Sequence, residues 1–507
     1  MLSGNEWSHY WPAFPALIPA LWGLMLMFFV PWLNQKIDRR WLWGVSLVGM
    51  ALTFAVPAMM LSDIRDRGAA TQALGMGSEM MMRADQFSLW MNLIFAAAGF
   101  MALLITPQYL ERAKAHHGEV YPLMFLAVSG MALMVGTENL IMIFIGLEVM
   151  SISLYVLCGM ARERATGMEA ALKYFLLGAF STGFLVYGTA LVMGATGSLH
   201  LPKIAEAIRA GAEGGLHVPM LMAGIAMIIV ALAFKVAAVP FHFWLPDVYQ
   251  GAPTPVTAFM AAGTKAAALG VLVRLLHSGF SSGAPDDMVS QRWILVVGLL
   301  SAVTMVVGNL LALVQVRVKR LLAYSAVANA GYLLLALVAP LDIGAGNLVF
   351  YLIAYTLMTV GAFTVISLFQ EDGEDADHID NFKGLWHRRP VLAASMMVLM
   401  LSMIGIPPTG GFTGKYLIFL SAMQSGHPWL AAIMAISAVI GAAYYLRVIV
   451  AMFLEEPANE LTSSLAVPLS AAIVIAIAVV GTMMLGVVPY LLTEPLAVIH
   501  GSLLPLS

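Results

Sequence analysis

Three lysines stand where a charge is hardest to keep. Lys235, Lys265 and Lys415 each lie inside a long apolar run, about ten residues from either flank, or roughly 15 Å at helical rise. A charge at the centre of a bilayer costs roughly 2.5–3.5 kcal/mol even on the most lenient insertion scale, and a lysine stem does not span that distance to water. Glu148, in NLIMIFIGLEVMSISLYVLCGM, is the one carboxylate at the middle of such a run. An opposite charge at 4 Å is worth about 4 kcal/mol at an effective dielectric of 20, so a partner that approaches or withdraws changes how firmly a buried amine holds its proton. That is the chemistry of a proton relay. A fixed structural ion pair, Glu148 with Lys235 or Lys173, is the alternative, but one acid cannot neutralise every buried lysine, and the others must titrate or meet water.

Two of the lysines sit beside interruptions. In ALAFKVAAVPFHFWLPDVYQGAPTPV, Lys235 precedes Pro240, with Pro246, Pro253 and Pro255 following; in GIPPTGGFTGKYLIF, Pro407, Pro408, Gly410, Gly411 and Gly414 precede Lys415. Proline cannot donate the helical N–H bond and clashes with the preceding turn, so Pro240 must kink or end its helix. Freed carbonyls beside a buried amine are tolerated in hydrocarbon only where protein or trapped water satisfies both, which marks Pro240 and the nearby His242 as points of water access. Asp247, just past the break, reads as a capping or gating residue or as a turn former. The two interruptions occupy matching places in two halves of the chain, the pattern of repeat-built transporters with midplane sites.

The elements that position these residues follow from composition. With 507 residues, 61% of them hydrophobic and 10% charged, and a mean hydropathy of +0.88, the chain is a polytopic membrane protein. Its runs are long enough for helices and lack the short alternation of a barrel strand, so the expected fold is all-α. Apolar runs fall near 13–33, 42–62, 86–106, 119–138, 139–160, 168–194, 218–243, 255–278, 292–314, 321–340, 346–370, 391–423, 429–454 and 466–492, about fourteen spans by the length criterion. Glu6 and the lack of any lysine or arginine before Lys36 make the first run a retained span and not a cleaved signal.

One set of loops carries Lys36, Arg39, Arg40, Arg112, Lys114, Arg162, Arg164, Arg317, Lys319, Arg320, Lys383, Arg388 and Arg389; the other carries Arg65, Arg67, Arg83, Lys203, Arg209 and Arg292. Cytoplasmic loops hold the positive excess, which puts both termini on the non-cytoplasmic side. Lys173, Arg274 and Arg447 lie within spans but near their ends, from which long side chains can snorkel to the interface. The single cysteine, Cys158, excludes a disulfide framework, a zinc site and an iron–sulfur cluster. His242 and His277 do not make a haem pair, the 36 methionines read as soft packing, and a net charge of -3 leaves no basic stripe for nucleic acid.

The run FKVAAVPFHFWLPDVYQGAPTPVTAFMAAGTKAA, together with GLEVMSISLYVL, VKRLLAYSAVANAGYLL and GIPPTGGFTGKYLIF, resembles the antiporter-like membrane subunits of respiratory NADH:quinone oxidoreductase, and PFHFWLPDVYQGAPTPV is more similar to their N type than to the L or M type. The resemblance implies two inverted five-helix repeats with two broken helices inside a bundle divided as 1–118, 119–278, 279–455 and 456–507. It also implies a relay of Glu148, Lys173, Lys235, Lys265 and Lys415. Where the family's tenth span carries a histidine before Gly-Tyr, this chain has Asn329, which can order water but cannot titrate. The expected function is proton translocation in the inner membrane of a bacterium, with no cofactor in this chain. Flavin, iron–sulfur clusters and quinone would belong to partner membrane and peripheral subunits. A cation/proton antiporter subunit, a membrane subunit of a related hydrogenase or dehydrogenase, and a non-conducting scaffold are the alternatives.

Overall fold

Within a bilayer every backbone polar group must find a partner inside its own segment, so long apolar runs become helices. The computed structural model describes residues 6–30, 40–66, 71–72, 81–113, 118–161, 164–284, 287–371, 374–457 and 465–503; Lys36, Arg39, Arg67, Lys114 and Arg162 lie outside them. In chain order the helices are α1 (Phe14–Phe29), α2 (Arg40–Asp66), α3 (Gln86–Arg112), α4 (Val120–Val135), α5 (Leu140–Cys158), α6 (Ala165–Thr196), α7 (Leu201–Ala210), α8 (Val218–Val236), α9 (Trp244–Gly251) and α10 (Thr254–Val273). They continue as α11 (Met288–Leu313), α12 (Val318–Ala336), α13 (Leu341–Ile366), α14 (Leu385–Arg388), α15 (Pro390–Ile404), α16 (Gly410–Gln424), α17 (Pro428–Leu454), α18 (Leu469–Val487) and α19 (Tyr490–Leu496). Two small antiparallel hairpins pair Thr71–Gln72 with Ala84–Asp85 and Gln370–Glu371 with Glu374–Asp375.

Eleven of the described helices are long and apolar enough to cross a membrane. The shorter Val120–Val135 helix, α12, and the α15–α16 pair complete the about fourteen crossings that apolar length predicts. The seventh and twelfth crossings are each built from two short helices, α8 with α9 and α15 with α16. Following the alternation of crossings, α8 enters from the end of the bundle that holds Arg274, and α15 enters from the end that holds Asp375. The broken helices therefore run in opposite senses, as inverted repeats require. At the centre lie α10 with its π-helical extension, wholly buried, and α13, buried over 89% of its apolar window. These two inner helices carry Lys265, Tyr351 and Tyr355.

Both ends of the bundle are closed by buried ion clusters, and here the structure corrects the reading of loop and snorkelling charges. Arg274 is fully buried, with Nη2 2.8 Å from Asp85 Oδ2 and Nη1 4.0 Å from Glu138. Arg83, expected in a loop, is buried beside it, 2.5 Å from Glu138 Oε1, and donates to the Ser502 carbonyl at 2.7 Å. Partners from four segments satisfy these charges where water does not reach, which position along the chain alone cannot foretell. At the other end Lys319, also counted as a loop charge, is fully buried at the start of α12, with Nζ 2.8 Å from Asp375 Oδ2. Tyr109 and Thr254 donate to the same carboxylate at 2.9 and 3.0 Å. Burial acts to raise the Asp375 carboxyl, but Lys319 and Arg164 outweigh it and hold the group below the usual carboxylate range. Arg447, by contrast, is only half-buried; its guanidinium donates to the carbonyls of Leu313 and Gln315 as α11 ends.

Candidate functional site

The first break begins earlier than Pro240. Helix α8 stops at Val236, and Ala237 turns left-handed with φ 60°. Proline at 240 has no N–H to continue the helix and pushes residue 239 out of the helical region, so the helix must stop by residue 239; the left-handed turn at Ala237 stops it sooner. Lys235 therefore lies in the last turn of α8 and not in a helix interior. There the unpaired carbonyls and the negative end of the helix dipole favour a cation. Lys235 is 1% exposed. Its Nζ donates to Ser151 Oγ at 2.7 Å and to Tyr155 Oη at 3.3 Å, both on α5, and stands over the rings of Tyr155 and Tyr174 at 5.4 and 5.5 Å. The break is braced by Trp244, whose Nε1 donates to the Phe234 carbonyl at 2.9 Å, and by Thr304 of α11, which accepts from the Val239 N–H at 3.0 Å.

The second break reaches the same chemistry from the other side. Helix α15 ends at Ile404, Gly405 turns left-handed with φ 93°, and Pro407 and Pro408 lead to Thr409, which caps α16. Lys415, in the second turn of α16, reaches back to donate to the carbonyls of Met403 and Ile404 at 2.6 and 3.1 Å. Each break thus places one ammonium at the carbonyl end of its first half-helix, and the two half-helices point in opposite directions.

Between the breaks runs a buried polar network. Lys265 of α10 donates to the Ala326 carbonyl of α12 and lies 3.5 Å from Tyr355 Oη of α13. One turn along α13, Tyr351 Oη donates to Asn329 Oδ1 at 2.5 Å. Asn329 in turn donates to the Ser325 carbonyl at 2.9 Å, and Ser325 shares a hydroxyl hydrogen bond with Tyr445. Tyr332, whose ring lies 4.8 Å below Lys415 Nζ, accepts from Asn309 at 3.0 Å, and Asn309 accepts from Tyr444 at 3.0 Å. Beyond it, on α13, Asn347 donates to Ser421 of α16 at 2.8 Å. Asn347 lines a cavity of about 240 Å³ at the Arg274 end, together with Asp342, Phe350, Thr493 and Leu496. That volume has room for several waters and polar partners to hold them.

Of the residues proposed from sequence, Lys235, Lys265, Lys415 and Asn329 come together along this line. Glu148 makes no direct ion pair with Lys235 or Lys173, although its charge acts on the Lys235 ammonium from a distance. Its Oε1 accepts from Thr182 at 2.8 Å, while Ser151, one turn further along α5, takes the lysine. Nor is Glu148 the only buried carboxylate. Asp85 and Glu138 are 0% and 3% exposed, whereas Glu148 is only half-buried on the outer flank of α5. Lys173 lies outside the line; its Nζ is 2.6 Å from Glu169 and 2.8 Å from Asp247. Asp247 is more than a turn former, because its second oxygen takes Arg320 at 2.7 Å. His242 is buried against Phe243 with its Nδ1 unpartnered, and His277 bonds the Leu337 carbonyl at 3.1 Å. The sequence reading missed Ser151, Tyr155, Ser325, Tyr351, Tyr355 and Tyr445. The four-residue spacing of Tyr351 and Tyr355 inside an apolar run was the available signal, since it puts two hydroxyls on one helix face. Among the described residues no group of three or more His, Cys, Asp or Glu is placed to hold a metal ion.

A bundle with oppositely directed broken helices, each with an amine at its break, defines an ion-translocating membrane subunit. The profile of the NADH:quinone oxidoreductase/Mrp antiporter transmembrane family matches residues 137–441, which span both breaks, and the chain belongs to that family. It is 40% identical over 480 residues to NADH-quinone oxidoreductase subunit N of Chloroflexus aggregans, covering 94% of each chain. In solved structures it is similar to a chain of respiratory complex I from Thermus thermophilus, with 34% identity, a TM-score of 0.77, and coverage of 96% of this chain and 99% of that one. A chain of the Mrp complex of Dietzia sp. shares the fold, with a TM-score of 0.80 at 20% identity over 97% of each chain.

Proposed function

We infer that this chain is a proton-translocating membrane subunit of an NADH:quinone oxidoreductase, in its N position. The observation that carries the inference is the pair of inverted breaks, each with a lysine on its carbonyl end, with Lys265 and the Asn329–Tyr351 hydrogen bond buried on the inner helices α10, α12 and α13. The repeats are taken as residues 119–278 and 279–455, flanked by 1–118 and 456–507. In this reading protons enter at the Asp375 end, load Lys235, pass by Lys265 and ordered water to Lys415, and leave through the Asn347 cavity at the Arg274 end. Glu148 sits half-open on an apolar flank beside Ile145 and Ile152, which are 40% and 56% exposed. A carboxylate is not left facing lipid, so a neighbouring membrane subunit covers it, and changes in its surroundings time the steps. Electron transfer supplies the energy; flavin, iron–sulfur clusters and quinone sit in partner subunits. The Asp375 end faces the cytoplasm of a bacterial cell, and both termini lie on the other side of its inner membrane.

The ion is tested in the complete complex reconstituted into proteoliposomes. NADH-driven acidification of the lumen is expected at full rate in sodium-free medium. Transport that stops without sodium, and returns when it is added, would replace the proton reading with a cation-antiport one.

A further inference from the structure

Beside Lys235, among the rings around it, two stack face to face. Tyr174 of α6 and Trp244 of α9 stack with centroids 4.6 Å apart and planes 11° from parallel, and they are 0% and 1% exposed. Tyr174 stands under Lys235 Nζ at 5.5 Å. The next residue outward on α6 is Lys173, and one turn along α9 from Trp244 is Asp247, whose side chains are 41% and 32% exposed and meet at 2.8 Å. Trp244 spends its only N–H on the Phe234 carbonyl, so it offers an entering proton neither donor nor acceptor. Tyr174 Oη is buried and has no hydrogen-bond partner. It is the first polar group that water would meet if the rings parted.

We propose that the Tyr174–Trp244 stack is the barrier between Lys235 and water, and that Asp247, clamped by Lys173 and Arg320, is the latch that holds it shut. This rests on the relay reading above. The geometry makes the latch and barrier move together, because each ring is on the same helix as one latch residue. Loss of the Lys173–Asp247 contact frees α6 from α9 along the line where the rings meet. Arg320 ties the latch to the second repeat. It stands at the start of α12, beside Lys319, which donates to the Gln250 and Ala252 carbonyls at the end of α9. The same α12 carries Ala326, the acceptor for Lys265, and Asn329. A change at the centre of the relay is thereby able to reach the entrance along one helix.

The test measures access to position 235 without relying on pumping. In the full complex in membrane vesicles, a Cys158→Ala, Lys235→Cys background is treated with a small cationic methanethiosulfonate. Trp244→Ala and Asp247→Asn on that background are expected to react about tenfold faster than the parent, equivalent to about 1.4 kcal/mol, whereas Trp244→Phe, which keeps the stack, stays at the parent rate. Should Trp244→Ala fail to assemble, Asp247→Asn, at a third-exposed side chain, carries the test alone. Equal rates throughout overturn the barrier and latch while leaving the relay standing. A faster reaction, with pumping intact in a separate Lys235→Met complex, keeps the barrier and removes the relay.

Discussion

A Lys235→Met complex is expected to assemble and to lose proton pumping by roughly a hundredfold, a barrier increase of about 2.7 kcal/mol. That increase is comparable to the cost of a charge at the bilayer centre with no group to carry it. Methionine fills the space of the lysine stem, and replacing a buried charge by an apolar group of similar volume is often neutral for stability. The hydroxyls of Ser151 and Tyr155 lose one donor. Ser151 keeps its own bond to the Leu147 carbonyl, so the cost stays near the about 1–3 kcal/mol of an unsatisfied group and within reach of a large bundle. Native gels report assembly, and a pH-sensitive dye in the vesicle lumen reports pumping. The specificity control is Lys203→Met, at an exposed side chain of α7 outside both the proposed relay and the latch.

The second large effect concerns shape. Gly411→Ala is expected to destabilise the second break by about 3 kcal/mol, the upper part of the range for overpacking. A Cβ there would lie 1.9 Å from the Ser402 carbonyl oxygen, a backbone atom that cannot swing away. The N–H of Gly411 also donates to Ser402 Oγ at 3.1 Å, so any shift that relieves the clash breaks this contact and moves Lys415 off the Met403 and Ile404 carbonyls. Lower subunit levels in the membrane and a lower Tm of the solubilised complex are the readouts. Gly183→Ala, where nothing lies within 4 Å of the added carbon, is expected to leave both unchanged or slightly raised, since alanine gains up to about 1 kcal/mol over glycine in a helix.

Much of the bundle was legible because hydrocarbon length and backbone satisfaction leave so few choices. The runs, the two interruptions and the three stranded lysines could all be read from apolar length and proline chemistry. That α8 must end by residue 239 was within reach too, because the residue before a proline leaves the helical region; its end at Val236, set by the left-handed Ala237, was not. Ion pairing was not legible. Arg274 and Lys319 lie near helix ends, where solvent is the default, and their burial depends on Asp85, Glu138 and Asp375, which the fold brings from remote positions. Glu148 and Lys173 found other partners for the same reason. Tyrosines inside apolar helices read as packing, so the buried hydroxyls near Lys265 and Asn329 emerged only once α12, α13 and α17 were seen together. Asn329 accepts from the Tyr351 hydroxyl and holds it in place.

The proposed relay depends on Lys265 to join the two breaks. The most direct measurement is the number of protons pumped per electron pair by a Lys265→Met complex in proteoliposomes, with NADH oxidation followed in the same vesicles. A ratio lowered from that of the parent, with the complex assembled and oxidation still measurable, is the predicted result. An unchanged ratio would mean that protons do not pass between the two breaks by way of Lys265, and would contradict it.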